Sequence, residues 1–294
     1  MSTADVALAP GPDEAAALPE PGRAPGAFGR FFRSELWLIF GRRRNWAGGL
    51  VLASVPLLIA VVVKVSGSGG GDTFVFAEIT HNGLFVALAA LTVELPFFLP
   101  IAVSAIAGDA VAGEANLGTL RYLLVTPVDR ARLVLVKLGG ITLFTLAATV
   151  LIAVVGAAAG LALFGGGTFT TLSGTSLGFA AGLGRLALVC GYLTLCLTGL
   201  GAVGLFISTL TEQPIGAGIT LLALTVVSQI LDQLSQVAAI HPYLPTHFWL
   251  DYAEVLRDPL DVGALGPGAA SALAYVAIFT AAAWARFSTA DVSA

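Results

Sequence analysis

The chain has 294 residues, of which 57% are hydrophobic and only 11% are charged, and its mean hydropathy is +0.91. Soluble domains carry about 25% charged residues, so this composition excludes an ordinary soluble domain. The formal net charge of −4 says little about partners, because it comes from few, unevenly placed groups. We expect no nucleic-acid partner.

The first 27 residues are rich in Ala, Pro, Gly and acidic side chains. They lack the cationic start and the apolar core of a signal peptide. We therefore expect residues 1–27 to form a disordered tail on the cytoplasmic side of a membrane.

Residues 28–44 are predicted to form an amphipathic helix that lies in the membrane interface and contacts lipid. Arg30 and Arg33 lie opposite an apolar stripe, which Glu35 and Arg43 interrupt. The alternative is that this segment is simply the water-exposed start of the first membrane span. The stripe consists of Phe28, Phe32, Leu36, Ile39 and Phe40.

Six segments are long and apolar enough to cross a membrane, which requires about 20 mostly apolar residues. We therefore expect an all-α, polytopic fold, with residues 45–289 forming one six-helix transmembrane domain. The predicted spans are 46–65, 81–107, 133–164, 179–210, 215–236 and 267–286.

The basic residues predict the orientation of these spans. Eleven of the 14 Lys and Arg residues fall on the side of the two termini, and Lys64, Arg185 and Arg257 fall on the other side. Cytoplasmic loops carry an excess of Lys and Arg. We therefore expect a multi-pass protein of the plasma (cell inner) membrane with both termini and the 108–132 loop in the cytoplasm, and residues 238–264 as an extracytoplasmic polar segment.

The 108–132 loop is a polar island between two long apolar segments. Residues 110–124 have helical character, and Pro127 ends that helix because the residue before a proline is disfavoured in the helical region. A short helix bent between two spans would transmit the motion of a bound partner into the membrane. The alternative is a solvated loop whose cations only set the topology.

This loop resembles the signature of the ABC-2 type permeases. The resemblance rests on Glu114, Gly118-Thr119-Leu120, Leu123-Leu124, Thr126 to Arg130 and the downstream Lys137. It implies that residues 114–130 form a coupling helix that docks into a groove of a separate ABC-type ATP-binding subunit. The implied coupling residues are Glu114, Asn116, Gly118, Thr119, Leu120, Arg121, Pro127 and Arg130.

The chain lacks the sequence features of an ATPase or a hydrolase. It contains no G-x-x-x-x-G-K-[ST], H-E-x-x-H or G-x-S-x-G pattern. We therefore expect a permease that is not itself an enzyme and holds no cofactor, with ATP and magnesium bound by the partner subunit. The family resemblance also implies an exporter.

A second permease copy or a paralogue is expected to complete the substrate pathway. Gly156-x-x-x-Gly160 and Gly178-x-x-x-Gly182 permit close helix approach. These glycines either pack helices within one subunit or mark a dimer face.

Polar residues within the spans are candidates for the pathway. Glu94 stands near the middle of the second span, where an acidic residue is costly and usually faces a bundle interior or water. It either binds a cationic substrate or a proton, or is a protonated group beside a kink at Pro96. A polar stripe on the fifth span either lines a wet pathway or marks the helix emerging into water. This stripe consists of Ser228, Gln229, Asp232, Gln233 and Gln236.

A cluster in the 238–264 segment contains His241, His247, Asp251 and Glu254. A metal site needs three or four converging ligands. The nearby Phe248, Trp249 and Tyr252 are typical of an aromatic belt at a membrane interface, so we favour a structural role and expect no metal.

Two alternative functions remain open on the residues alone. A secondary transporter driven by an ion gradient would use Glu94 as its ionisable group, although such proteins usually contain several. A membrane scaffold would need no pathway.

Overall fold

The computed structural model describes residues 27–67, 74–116 and 130–289. Residues 1–26 of the predicted tail therefore lie outside the described residues, and so does most of the predicted coupling helix, whereas Ala27 begins the first helix. The helices of the described part are α1 (Ala27–Gly41), α2 (Arg43–Ser66), α3 (Phe74–Ala77), α4 (Leu84–Glu94), α5 (Phe98–Asn116), α6 (Arg130–Phe164), α7 (Phe179–Ser208), α8 (Pro214–Asp232) and α9 (Gly266–Thr289).

Short elements connect the long helices. Strands β1 (Phe169–Thr170) and β2 (Ser176–Leu177) form a small antiparallel hairpin between α6 and α7. Four 3-10 segments cover Glu78–Thr80, Ser235–Tyr243, His247–Leu256 and Val262–Leu265.

Six helices of the described part are long and apolar enough to cross a membrane, which confirms the predicted all-α, six-span architecture. Each of the six predicted spans overlaps one of these helices, and the second predicted span also includes α4. The candidate spans are Arg43–Ser66, Phe98–Asn116, Ala131–Phe164, Phe179–Ser208, Pro214–Asp232 and Val262–Ser288.

Helix α7 is the most buried of these spans and packs against α9, α6 and α5. Its glycines make this possible, because a side chain there would meet the neighbouring helices. A Cβ at Gly201 would lie 2.5 Å from Ile141 of α6, and a Cβ at Gly204 would lie 2.6 Å from Ala107 of α5. Small residues let membrane helices approach closely, so α7 forms the centre of the bundle.

The second membrane crossing is a broken helix formed by α4 and α5. The break at residues 95–97 contains Pro96, and Pro100 follows in the first turn of α5. Proline has no backbone N–H and clashes with the preceding turn, so it kinks or interrupts a helix. Beyond the break α5 continues to Asn116, nine residues past the end of the predicted span.

The first helix packs against α6 as well as exposing an apolar surface. Phe32 and Ile39 lie over the adjacent Gly139 and Gly140, where added Cβ atoms would lie 3.0 Å and 2.9 Å from them. Trp37 is 76% exposed on the opposite side. Two members of the predicted lipid-facing stripe are thus in protein contact, because the two glycines of α6 leave room for them.

The two ends of the bundle carry different groups. We call the end where α5 finishes at Asn116 and α6 begins at Arg130 the loop end. We call the end where α8 finishes at Asp232 the histidine end, since His241 and His247 lie beside that residue.

Candidate functional site

Lys137 is the centre of an ion cluster at the loop end. Its ammonium nitrogen lies 3.1 Å and 2.9 Å from the two carboxylate oxygens of Glu35 and also contacts Glu114. The Lys137 side chain is only 3% exposed. One lysine of α6 therefore joins α1 to the last turns of α5.

The close approach of α1 to α6 makes this pairing possible. A Cβ at Gly140 would lie 3.3 Å from the Cγ of Glu35, so a larger residue there would crowd that side chain. A buried charge is costly unless it is paired and hydrogen-bonded. The Glu35 that interrupts the apolar stripe of α1 is thus explained by its partner on another helix.

A second ion pair fastens the same stretch of α5. Asp109 contacts the guanidinium of Arg42, and Arg44 lies 3.3 Å from the same carboxylate oxygen. These arginines flank the start of α2, where α1 has ended and the first span begins. The last two turns of α5 are therefore tied to α1, α2 and α6.

Helix α5 is also fixed to α7 and α8 by contacts that involve its backbone. The hydroxyl of Ser208 donates to the Gly108 carbonyl at 2.7 Å and lies 2.9 Å from the Ala112 amide nitrogen. A Cβ at Gly108 would lie 2.6 Å from the backbone nitrogen of Gly218 on α8. The loop end of α5 is therefore in close contact with two further spans.

The predicted coupling residues divide into two groups. Glu114 belongs to the ion cluster and Asn116 is exposed at the end of α5. Arg130 begins α6. Gly118, Thr119, Leu120, Arg121 and Pro127 lie in residues 117–129, outside the described residues.

Glu94 lies at the end of α4, beside the break in the second span. Its side chain is fully buried, and neither carboxylate oxygen has a hydrogen-bond partner among the residues that the structure describes. Such a position is costly for a carboxyl group in a membrane protein and is typical of a functional group.

The polar stripe of α8 contacts the break and the histidine end. The amide nitrogen of Gln229 donates to the carbonyl of Pro96 at 2.9 Å, and the Ser228 hydroxyl lies 2.6 Å from that of Thr246. Pro100, four residues after Pro96, has no N–H with which to satisfy that carbonyl. Gln229 supplies the missing donor.

We expect Gln229→Leu to destabilise the folded chain by about 1–3 kcal/mol, because it leaves the partly buried Pro96 carbonyl without its donor. Pro100→Ala provides a backbone N–H four residues after Pro96 and should reduce that loss to less than half. The measurement is a double-mutant cycle of unfolding, with SDS titrated into mild-detergent micelles. An equal loss in both backgrounds would show that Gln229 does not serve the break.

The end of the stripe lies among the histidines. The Oδ1 atom of Asp232 lies 2.6 Å from His247 Nδ1, whereas Gln233 is exposed. Burial raises the pKa of Asp251, and the nearby His247 opposes that rise. Asp232, which the sequence placed only in the stripe, is thus brought to the two histidines.

Sequence reasoning missed two features of these ends. The pairing of Glu35 with Lys137 joins residues 102 positions apart, and its only signal was an acidic residue in an apolar stripe. Arg185 of α7 is buried and donates to the carbonyls of Val255 and Arg257. It was counted only as a residue of the far side.

The six candidate spans define a multi-pass membrane protein. The sequence profile of the ABC-2 family transporter proteins matches residues 41–217, more than half of the chain. The chain belongs to this family and is an ABC transporter permease. No individual curated protein matches it.

Proposed function

We propose that the chain is the transmembrane permease subunit of an ATP-driven exporter, coupled through residues 114–130 to a separate ATP-binding subunit. Both termini and the loop end then lie in the cytoplasm, and the protein lies in the plasma membrane. The basic residues on that side of the chain support this orientation.

The observation that carries the proposal is the ion cluster of Glu35, Glu114 and Lys137. A loop that only connected two spans would not require a buried lysine and two carboxylates at its base. Removing one partner of a buried ion pair is strongly destabilising, so the intact pair holds its helices in a defined arrangement. The cluster thus makes a rigid base for the loop that a partner would grip.

The mechanism follows from this rigid base. ATP, with magnesium, is bound by the partner subunit and favours one of two arrangements of the transporter. The partner moves the 114–130 loop, and α5 transmits that movement to α6, α7 and α8 through the contacts described above. A second permease copy or a paralogue completes the pathway, and family resemblance supports the direction of export.

The pathway is proposed to follow the polar groups of the second and fifth spans. Glu94 and Gln229 lie at the break between α4 and α5, whereas Asp232 and Gln233 lie at the histidine end. These residues mark the polar positions along a route from the middle of the bundle to one end.

Co-purification in mild detergent from the native membrane, followed by an ATPase assay, tests the proposal. We expect an ATP-binding subunit to accompany the wild-type chain and to be lost when Glu114 and Arg121 are both changed to Ala. Changing both Glu254 and Arg257 to Ala should leave the complex intact, because this acid–base pair lies at the histidine end. A well-folded chain with no ATP-binding partner in several detergents would overturn it.

The buried Glu94 favours one other function, transport driven by an ion gradient. Under our proposal Glu94→Gln, which keeps the side chain's shape, leaves ATPase stimulation within about twofold of wild type because the loop end is untouched. An ion-driven transporter would instead lose gradient-driven uptake. Transport by reconstituted protein, driven by ATP in one sample and by an imposed proton or sodium gradient in another, separates the two.

A further inference from the structure

Three metal-ligating side chains converge at the histidine end. Asp232 is the last residue of α8, and the two 3-10 segments that follow bring His241 and His247 back to it. The Oδ1 atom of Asp232 lies 2.6 Å from His247 Nδ1 and 3.9 Å from His241 Nδ1. One ligand atom from each of the three residues lies within 4.8 Å of the others.

The His241 ring is held in the orientation that a metal ligand needs. Its Nε2 atom lies 3.1 Å from the Leu231 carbonyl and 3.2 Å from the Leu234 carbonyl. Carbonyl oxygens only accept hydrogen bonds, so Nε2 carries the proton and the lone pair of Nδ1 points to the side of Asp232. Hydrogen bonds to the second ring nitrogen orient histidine ligands in this way.

The local electrostatics favour a cation. The carboxyl end of a helix carries a partial negative charge, and Asp232 adds a full one there. The last turn of α8 contains no basic residue. Asp251 adds a further acidic group near His247. The three ligands are each partly exposed, with between 16% and 32% of the side-chain surface accessible, so an ion can reach them.

We propose that Asp232, His241 and His247 form a binding site for a divalent transition-metal ion of the zinc class. Zinc–ligand bonds of about 2.0–2.2 Å place tetrahedral ligands about 3.4 Å apart, and the observed 2.6 Å and 3.9 Å bracket that spacing. Two imidazoles and one carboxylate suit zinc rather than calcium or magnesium, which take oxygen ligands. A water molecule would complete the coordination of the ion.

The ion would fasten the 235–256 segment to the end of α8. Besides this cluster, the hydroxyl of Ser228 on α8 pairs with that of Thr246 in the segment. Metal binding by three residues from both sides of this junction therefore stabilises the fold of the segment over the fifth span. This inference does not depend on the proposed coupling to ATP hydrolysis.

Zinc titration of the full chain tests the site. The protein, purified with an affinity tag that contains no histidine, is stripped with EDTA and titrated with Zn²⁺ alone by calorimetry. We expect one equivalent to bind and to raise the thermal midpoint. Co²⁺ in place of Zn²⁺ should give the visible absorption of tetrahedral coordination.

Variants separate a metal site from a hydrogen-bonded cluster. Asp232→Asn keeps an acceptor for His247 but should weaken zinc binding more than about tenfold. Removing a residue that only hydrogen-bonds to a metal ligand already lowers metal affinity about 10- to 100-fold, and Asp232 is a ligand itself. His247→Ala should do the same. His81→Ala, which removes the remaining histidine of the chain, should change nothing. Absence of stoichiometric binding, or equal binding by Asp232→Asn and wild type, overturns the proposal.

Discussion

Replacing Lys137 with Met should destabilise the folded chain by about 3–5 kcal/mol, the range for breaking a buried ion pair by removing one partner. The substitution keeps a long side chain but leaves Glu35 and Glu114 facing each other without their shared cation. The measurement is unfolding by SDS titration of the purified chain in mild-detergent micelles.

The chain contains one other lysine, which makes a matched control. Lys64 lies at the histidine end of α2, where its exposed ammonium donates to the Leu163 carbonyl at 2.8 Å. Lys64→Met should cost less than about 1 kcal/mol, as exposed polar contacts do. Adding Glu35→Gln and Glu114→Gln to Lys137→Met should recover much of the loss by removing the two carboxylate charges. Equal effects of the two lysine substitutions would mean that the cluster does not hold the loop end.

Gly160→Ala should also be strongly destabilising, by about 1–3 kcal/mol or more, because the core cannot absorb the added methyl group. A Cβ at Gly160 would overlap the Gly83 carbonyl at the start of α4, and backbone cannot rotate away as a side chain can. The two segments are also joined by a hydrogen bond of 3.0 Å from the Gly83 nitrogen to the Gly165 carbonyl. Thermal unfolding in detergent would measure the loss.

Gly191 of α7 provides the comparison for this substitution. No atom of the described residues outside its own helix backbone lies within 4 Å of a Cβ built there. Gly191→Ala should be neutral or slightly stabilising, since Ala is the better helix former by about 1 kcal/mol. Wild-type stability of Gly160→Ala would contradict the close backbone contact between α4 and α6.

The spans could be predicted from sequence because a lipid environment demands long apolar helices. The break near Pro96 was also predictable, since proline removes a backbone donor wherever it occurs. The donor that satisfies the Pro96 carbonyl at this break was not predictable. Gln229 belongs to a helix more than 130 residues away, and only the packing of α8 on α5 brings its amide to the Pro96 carbonyl.

The same limit applies to the two polar clusters. Glu35 looked like an interruption in an amphipathic stripe, because periodicity within one helix carries no information on a lysine of α6. Asp232 was grouped with the polar stripe of α8, and the turns of the 3-10 segments that return His241 to it leave no periodic pattern. Long-range pairing of polar groups therefore required the structure.

The glycine motifs illustrate an alternative that helix packing decides. Gly156 and Gly160 matched either a subunit interior or a dimer face. In the structure a Cβ at Gly156 would lie 2.6 Å from the Ala87 Cα of α4, so this pair packs helices within one chain. Their spacing in the sequence predicts a helix surface that permits close packing, but it does not show which helix packs there.

Photo-crosslinking from residue 116 tests the central claim, that the loop end couples to a separate ATP-binding subunit. A photoreactive amino acid replaces Asn116 in the native membrane, and a control chain carries it at Tyr243, which is 76% exposed near the histidine end. We predict a crosslink from position 116 to a polypeptide that contains a Walker A motif, and none from position 243. Crosslinking to such a polypeptide from neither position, or from both equally, would contradict the coupling of this permease through its loop end.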